Sequence, residues 1–455
     1  LRPTAQVPNA PKDLKLSREL TLFEATVYGI GIILGAGIYA LIGEAAGIAG
    51  NMLWLSFVLA AIIASFTALS YCELSALFPK CAAEFVYVKN AFRSKPFGFL
   101  IGWITIVTGV ICSAAVALGF AGYFSVIFSF PIVLIAVILL LVLTLVNFIG
   151  IKESAKLNIL FTLIETMGII FIIAIGLPYF GGVDYFQLPV AMGSIFDFIQ
   201  PVSLTAALVF FAFIGFEDIA NISEETVDAK KAIPKAMLIA LFFSTILYIL
   251  VSISVVSIVP WQELAVSSAP FSLVAGRVLG SSAASALALI ALFATMNTVL
   301  IIQIVVSRIL YGISKEGELP KFISKVHSKT QTPYFAIIIA TLAAIAVALF
   351  FNIKDAAFLT TSGIFLSFIA VNASVIILRF REPQLERPFK VPFSIGRMPL
   401  LPLLGVFFSI YMLAQIDINL LKISLAIFAL GIPVYYIFNH RAKTANKSDA
   451  NEFKQ

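Results

Sequence analysis

Val27-Tyr28-Gly29-Ile30-Gly31-Ile32-Ile33-Leu34-Gly35-Ala36-Gly37-Ile38-Tyr39 is apolar enough to enter a membrane, yet it carries four glycines where a helix would want none. Glycine costs roughly 1 kcal/mol relative to alanine inside a helix. The Gly35-Ala36-Gly37 cluster therefore suggests a backbone that leaves helical geometry at mid-membrane. Unwound backbone at that depth is tolerated only where it is buried in protein or lines a cavity, and in transporters such interruptions hold the substrate. A second reading is a small-residue face packed against a neighbouring helix.

The rest of the chain sets the context. Of its 455 residues 61% are hydrophobic and 12% charged. A soluble domain carries about twice that charge, so the composition is that of an all-α polytopic membrane protein. Each span needs about 20 apolar residues. Twelve segments qualify, at 22–48, 52–78, 97–125, 131–149, 157–178, 200–225, 236–259, 283–312, 334–351, 356–378, 399–416 and 420–438. With the N-terminus placed in the cytoplasm, 27 of the 30 lysines and arginines fall on the inner side. Only Arg277, Lys354 and Lys422 fall outside. That asymmetry is the positive-inside pattern and accounts for the net charge of +6. It divides the chain into an N-terminal tail (1–21), a transmembrane domain (22–439) and a C-terminal tail (440–455), both tails cytoplasmic. The N-terminal tail reads as such and not as a signal peptide, because no short apolar region with a small-residue cleavage site follows it.

The sixth span echoes the first. Leu208-Val209-Phe210-Phe211-Ala212-Phe213-Ile214-Gly215-Phe216-Glu217-Asp218 is also interrupted near its middle. Two broken spans of opposite direction, five spans apart, fit an inverted repeat of helices 1–5 and 6–10. This shifts the weight toward a substrate site at both breaks.

Acidic residues inside apolar spans are costly and suggest function by default. Glu165 lies in Phe161-Thr162-Leu163-Ile164-Glu165-Thr166-Met167, about 12 Å along the fifth helix from Leu157, with no lysine or arginine within three turns on its C-terminal side. It reads as a proton-coupling group, or as a protonated side chain hydrogen-bonded to the next helix. Glu217 and Asp218 follow the sixth-span break; they would face a cationic group or a proton path, or cap the second half-helix. Glu224, Glu225, Glu44 and Glu73 lie near span ends and read as structural. Asn297 in the eighth span is a candidate for the site or for an interhelical hydrogen bond. Phe210, Phe211, Phe213 and Phe216 flank a break.

Several classes are disfavoured. Cys72, Cys81 and Cys112 have no metal-ligand spacing and read as small buried hydrophobes. His327 and His440 fall in polar loops, so no metal site is expected. No phosphate-binding Gly-x-x-x-x-Gly-Lys-Ser/Thr loop is present, and the longest polar connector, about 313–333, is too short for an ATPase. No cofactor, enzyme activity or nucleic-acid partner is expected.

At this point five stretches resemble the amino acid–polyamine–organocation superfamily of permeases. They are Gly31 to Tyr39; Phe211 to Glu217 with Glu224-Glu225 and Lys231-Ala232-Ile233-Pro234; Ser307-Arg308 with Gly317-Glu318-Leu319-Pro320 and Thr332-Pro333; Tyr71-Cys72-Glu73-Leu74 with Phe78-Pro79-Lys80; and Arg387-Pro388-Phe389-Lys390-Val391-Pro392. Each is weak alone, and together they are specific. The resemblance implies a five-plus-five fold and alternating access. It implies that a substrate carboxylate meets the backbone amides near Gly35 to Gly37 and that the substrate amino group meets carbonyls near Phe210 to Phe213, with Phe211 as an aromatic gate. Taken with the reading of the residues themselves, the expected substrate-binding set is Ile33, Gly35, Ala36, Gly37, Phe210, Phe211, Ala212, Phe213, Gly215 and Asn297. Two departures stand out. Ala82-Ala83 replaces a frequent Gly-Gly pair, and Glu165 stands where several relatives carry a lysine that replaces a sodium ion.

The expectation is a secondary active transporter for amino acids in the plasma membrane, coupled to the proton gradient through Glu165 or Glu217, with sodium left open. The alternatives are an amino acid/polyamine exchanger and a non-transporting amino acid sensor; the short tails weigh against the sensor. Partner subunits are not readable.

Overall fold

The computed structural model describes residues 16–127, 130–189, 195–267, 269–350, 353–414, 416 and 418–438. The expected C-terminal tail with His440, and most of the N-terminal one, lie outside them. The first span starts at a capping box, in which the Thr21 hydroxyl accepts from the Glu24 amide and the Glu24 carboxylate from the Thr21 amide. This satisfies two of the donors that every helix start leaves open. Helix α1 (Leu22–Leu34) then stops at Gly35 (φ −57°, ψ −147°) and α2 (Ala36–Ala49) resumes.

Long helices follow: α3 (Leu53–Leu77), α5 (Lys95–Ile127), α6 (Ile132–Ile149) and α7 (Ile151–Gly176), with the short α4 (Ala83–Phe92) between the first two. The sixth span is α8 (Ile195–Val209), a 3-10 turn over Phe210–Phe213, extended Ile214, and a 3-10 segment over Glu217–Glu225. Gly215 sits at φ +117°, a conformation that L side chains rarely adopt, so glycine is what allows this break. Next come α9 (Ala229–Ile258), the short α10 (Trp261–Ala265) and α11 (Pro270–Leu279), α12 (Ser281–Lys315), α13 (Tyr334–Phe350) and α14 (Ile353–Arg381). A two-stranded hairpin, β1 (Ser394–Ile395) with β2 (Met398–Pro399), precedes α15 (Leu400–Leu413) and α16 (Ile418–Ala429).

Among the described residues ten helical segments are long and apolar enough to cross a membrane, which makes the chain a multi-pass, all-α membrane protein; α13 and α15, at 17 and 14 residues, are shorter. Helices overrun the apolar windows where polar residues continue them. The fifth span was expected from 157, but α7 begins at Ile151 because Lys152, Glu153 and Lys156 add helical turns beyond the apolar stretch. The helices α4, α10 and α11 fall in stretches read as connectors.

The centre is packed with α1, α3, α5, α9 and α12 around the two breaks. Buried ion pairs tie one end of the bundle. Arg308 and Glu225, both fully buried, form a two-pronged pair at 3.0 Å, and Arg308 also donates to Asn147 at 2.7 Å. Glu73 accepts from Arg379, from Arg387 and from the Val391 amide. Both carboxylates thus have the structural role expected of them. Glu44, by contrast, is exposed at the surface of α2.

Candidate functional site: a cavity between two broken spans

The breaks in the first and sixth spans touch. A Cβ added to Gly37 would stand 3.0 Å from the Cα of Ala212. That is tighter than nine in ten real Cβ contacts, so glycine sets how near the two spans come. Both readings of the opening stretch therefore hold at once: the helix is interrupted at Gly35, and the small residues pack. Tyr248 of α9 bridges the two breaks, its hydroxyl donating to the Ile33 carbonyl and, at 2.9 Å, to the Ala212 carbonyl. Those carbonyls end the half-helices and have lost their intrahelical donors. On the other side the Ala36 amide, first of α2, donates to the Thr298 hydroxyl of α12 at 3.1 Å.

A cavity opens beside these breaks. Pockets for small molecules place a few polar groups on apolar walls. Ile33, Ala36, Gly37, Phe211, Gly215 and Glu217 from the expected set lie on its wall. Gly35 packs instead against Thr298, where an added Cβ would come within 2.0 Å of the hydroxyl. Phe210 turns away to stack on Phe365 and Phe368, and Phe213 packs on Tyr248 and Phe57. Ala212 is off the wall, its backbone meeting Gly37 and the Tyr248 hydroxyl. Phe216 is buried between Tyr71 and Phe368.

Glu165 and Asn297 are off the wall and beside each other. The Asn297 amide donates to a Glu165 carboxyl oxygen at 3.0 Å and to the Thr162 hydroxyl at 3.1 Å, and accepts from Asn158 at 2.9 Å. This group lies directly behind the first span, since a Cβ on Gly31 would meet Thr162, Asn297 and Asn158, all within 2.9 Å. The other Glu165 oxygen and the Asn158 carbonyl oxygen have no hydrogen-bond partner among the described residues. Tyr39 of α2 donates to the Glu165 backbone carbonyl at 2.7 Å. The fifth and eighth spans thus hold the broken first span through one shared polar cluster.

Glu217 accepts from the Gly215 amide at 2.9 Å, closing the turn that follows the break. Glu84 of α4 also lines the cavity, held by the Tyr71 hydroxyl at 3.1 Å and the Asn221 amide at 3.3 Å. The stretch with alanines in place of glycines still packs closely. Ala82 takes the left-handed conformation (φ +56°), and the Ala83 amide donates to Asn221 at 2.9 Å. The sequence reading missed Tyr248, Thr298, Glu84 and Asn221. Glu84 carried one signal, an acidic residue within six of the second span's end, but it lay in what reads as a connector. Cys112, read as a packing residue, is half-buried on the cavity wall, while Cys72 and Cys81 are buried elsewhere.

Two interrupted spans enclosing a cavity inside a multi-pass helical bundle define a membrane permease by architecture. Family comparison gives the same class: the amino acid permease model matches residues 20–436, and the chain belongs to that family, within the amino acid–polyamine–organocation superfamily. The branched-chain amino acid permease of Bacillus subtilis is 29% identical, with 95% of each chain aligned. A methylthioribose transporter of the same organism is 28% identical over 98% of each chain. A vacuolar cationic amino acid transporter of Arabidopsis thaliana is 30% identical over 82% of this chain and 61% of its own length.

Proposed function

We propose that this chain is a secondary active transporter that moves amino acids across the plasma membrane by alternating access. The observation that carries the reading is the contact of two broken spans at a cavity, with Ile33, Ala36, Gly37 and Gly215 of the breaks on its wall. In this reading the transmembrane domain is 22–439, built of twelve spans with α13 and α15 as the ninth and eleventh. Helices 1–5 and 6–10 form an inverted repeat, and both termini are cytoplasmic, which puts the Arg308 and Glu73 ion pairs at the inner face. The substrate meets Ile33, Ala36, Gly37, Phe211 and Gly215. Its carboxylate lies at the start of α2 and its amino group near the carbonyls that end α8.

Coupling is assigned to Glu165, with Glu217 as the cavity-side group. An ionised carboxylate with one amide donor and no cation is expensive to bury. The charge on Glu165 is therefore tied to the packing around it, and that packing includes Gly31 of the broken span. A proton arriving at or leaving Glu165 changes its bond to Asn297 and with it the seating of the first span. Sodium is the competing coupling ion, and an exchanger without ion coupling the competing mode.

The test is uptake of a labelled amino acid panel into proteoliposomes, with an inward proton gradient, an inward sodium gradient, or substrate preloaded inside. Accumulation that needs the proton gradient and disappears in Glu165→Gln is the expected result. Gradient-driven accumulation that persists in Glu165→Gln contradicts the role of Glu165. Uptake that needs only preloaded substrate makes the protein an exchanger.

A further inference from the structure

The cavity is rich in carboxylates and poor in counter-charge. Glu84, Glu217 and Asp218 all line it, and the described lining residues include no lysine, arginine or histidine. At the end of the bundle, by contrast, Glu73 and Glu225 each sit on arginine. Two of the three cavity carboxylates have neutral partners: Glu217 accepts from the Gly215 amide, and Glu84 from Tyr71 and Asn221. The Asp218 amide bonds to the Gly215 carbonyl, but its carboxylate has no hydrogen bond or ion pair among the described residues. Thr108, 4% exposed, adds to the wall a hydroxyl that likewise has no partner. A carboxylate withdrawn from water needs a partner of opposite charge or a proton. The wall therefore offers acceptors and lacks a cation, and a cation entering the cavity would meet them. A zwitterionic amino acid with a neutral side chain brings no net charge. One whose side chain ends in an ammonium or guanidinium group brings the missing one.

We propose that Asp218 receives the positively charged side-chain end of the substrate, with Glu84, fixed by Tyr71 and Asn221, as the second acceptor, so that the cavity selects lysine-like amino acids over neutral ones of the same length. This rests on the reading of the cavity as the substrate site. Glu217 is held by its own turn and is not the selecting group.

Norleucine has a straight four-carbon side chain like that of lysine but without the terminal amine, so the pair isolates the charge. Wild-type protein in proteoliposomes is compared with Asp218→Asn, Asp218→Glu and Glu84→Gln for competition by unlabelled lysine and norleucine against a labelled substrate. In the wild type lysine is expected to compete at least tenfold better than norleucine. That ratio falls at least tenfold in Asp218→Asn, falls less in Glu84→Gln, and is largely kept in Asp218→Glu, which also shows that the site tolerates substitution. Norleucine competing as well as lysine in the wild type overturns the selectivity while leaving amino acid transport standing, as does a ratio unchanged in Asp218→Asn. Absence of uptake or exchange of any amino acid overturns both readings.

Discussion

The Tyr248 hydroxyl serves the carbonyls that end both half-helices, so a single oxygen atom links the first and sixth spans. Tyr248→Phe keeps the ring against Phe57 and Phe213 and removes only the donor. Two buried carbonyls then lose a partner, at a cost of about 1–3 kcal/mol for an unsatisfied group. A lowered melting temperature in detergent is expected, and an unchanged one means that the carbonyls find other donors. Charge is handled differently at the bundle's end. Burial acts to raise the carboxyl of Glu316, but Lys80 and Lys89 outweigh it and hold the group below its ordinary value of 4.5. A carboxyl depressed in the folded state stabilises above its unfolded value and loses that contribution as the pH falls through the folded one. Glu316→Gln is therefore expected to melt lower than wild type at pH 7, with the gap closing as the pH is taken below 4.5. A gap independent of pH contradicts the ion pairs as its source.

Among the elements, the broken spans depend on how closely they approach. Gly37 faces the backbone of Ala212, and that contact leaves no flexible atom to move aside. Gly37→Val is expected to lower uptake at least tenfold while the protein still elutes as a single species in gel filtration; uptake near wild type contradicts the contact as a requirement. Both breaks were legible in the sequence as glycine inside an apolar run, although the same glycines also read as a packing face. The first helix stops at Gly35, and the sixth span breaks at Ile214-Gly215 after its 3-10 turn. The short helices α4, α10 and α11 were not legible. At 10, 5 and 10 residues they are too short to give an apolar span, and they fold by docking on their neighbours. The polar partners of the breaks were hidden for a related reason. Thr298 and Tyr248 are ordinary residues of apolar helices until the fold brings them to an unpaired amide or carbonyl. Asn297 and Glu165 were each visible as polar residues in a span, but their pairing across the fifth and eighth spans was not.

Over the whole molecule, buried ion pairs tie distant segments together. Arg308, Arg379 and Arg387 come from segments far apart in sequence and meet carboxylates from the second and sixth spans. Breaking such a pair from one side leaves an uncompensated buried charge, which costs more than the pair itself is worth. That end is therefore firmly tied, and the cavity lies deeper, where the spans are interrupted. The cavity as a substrate site can be probed through one native thiol. Cys112 lies on its wall, while Cys72 and Cys81 are no more than 1% exposed elsewhere. The rate at which N-ethylmaleimide modifies Cys112, followed by mass spectrometry of the protein in liposomes, reports directly on what fills the cavity. Slowing of that rate by a mixture of the twenty amino acids is the expected result. An unchanged rate under conditions where the same preparation takes up amino acid would place the substrate elsewhere and contradict the site.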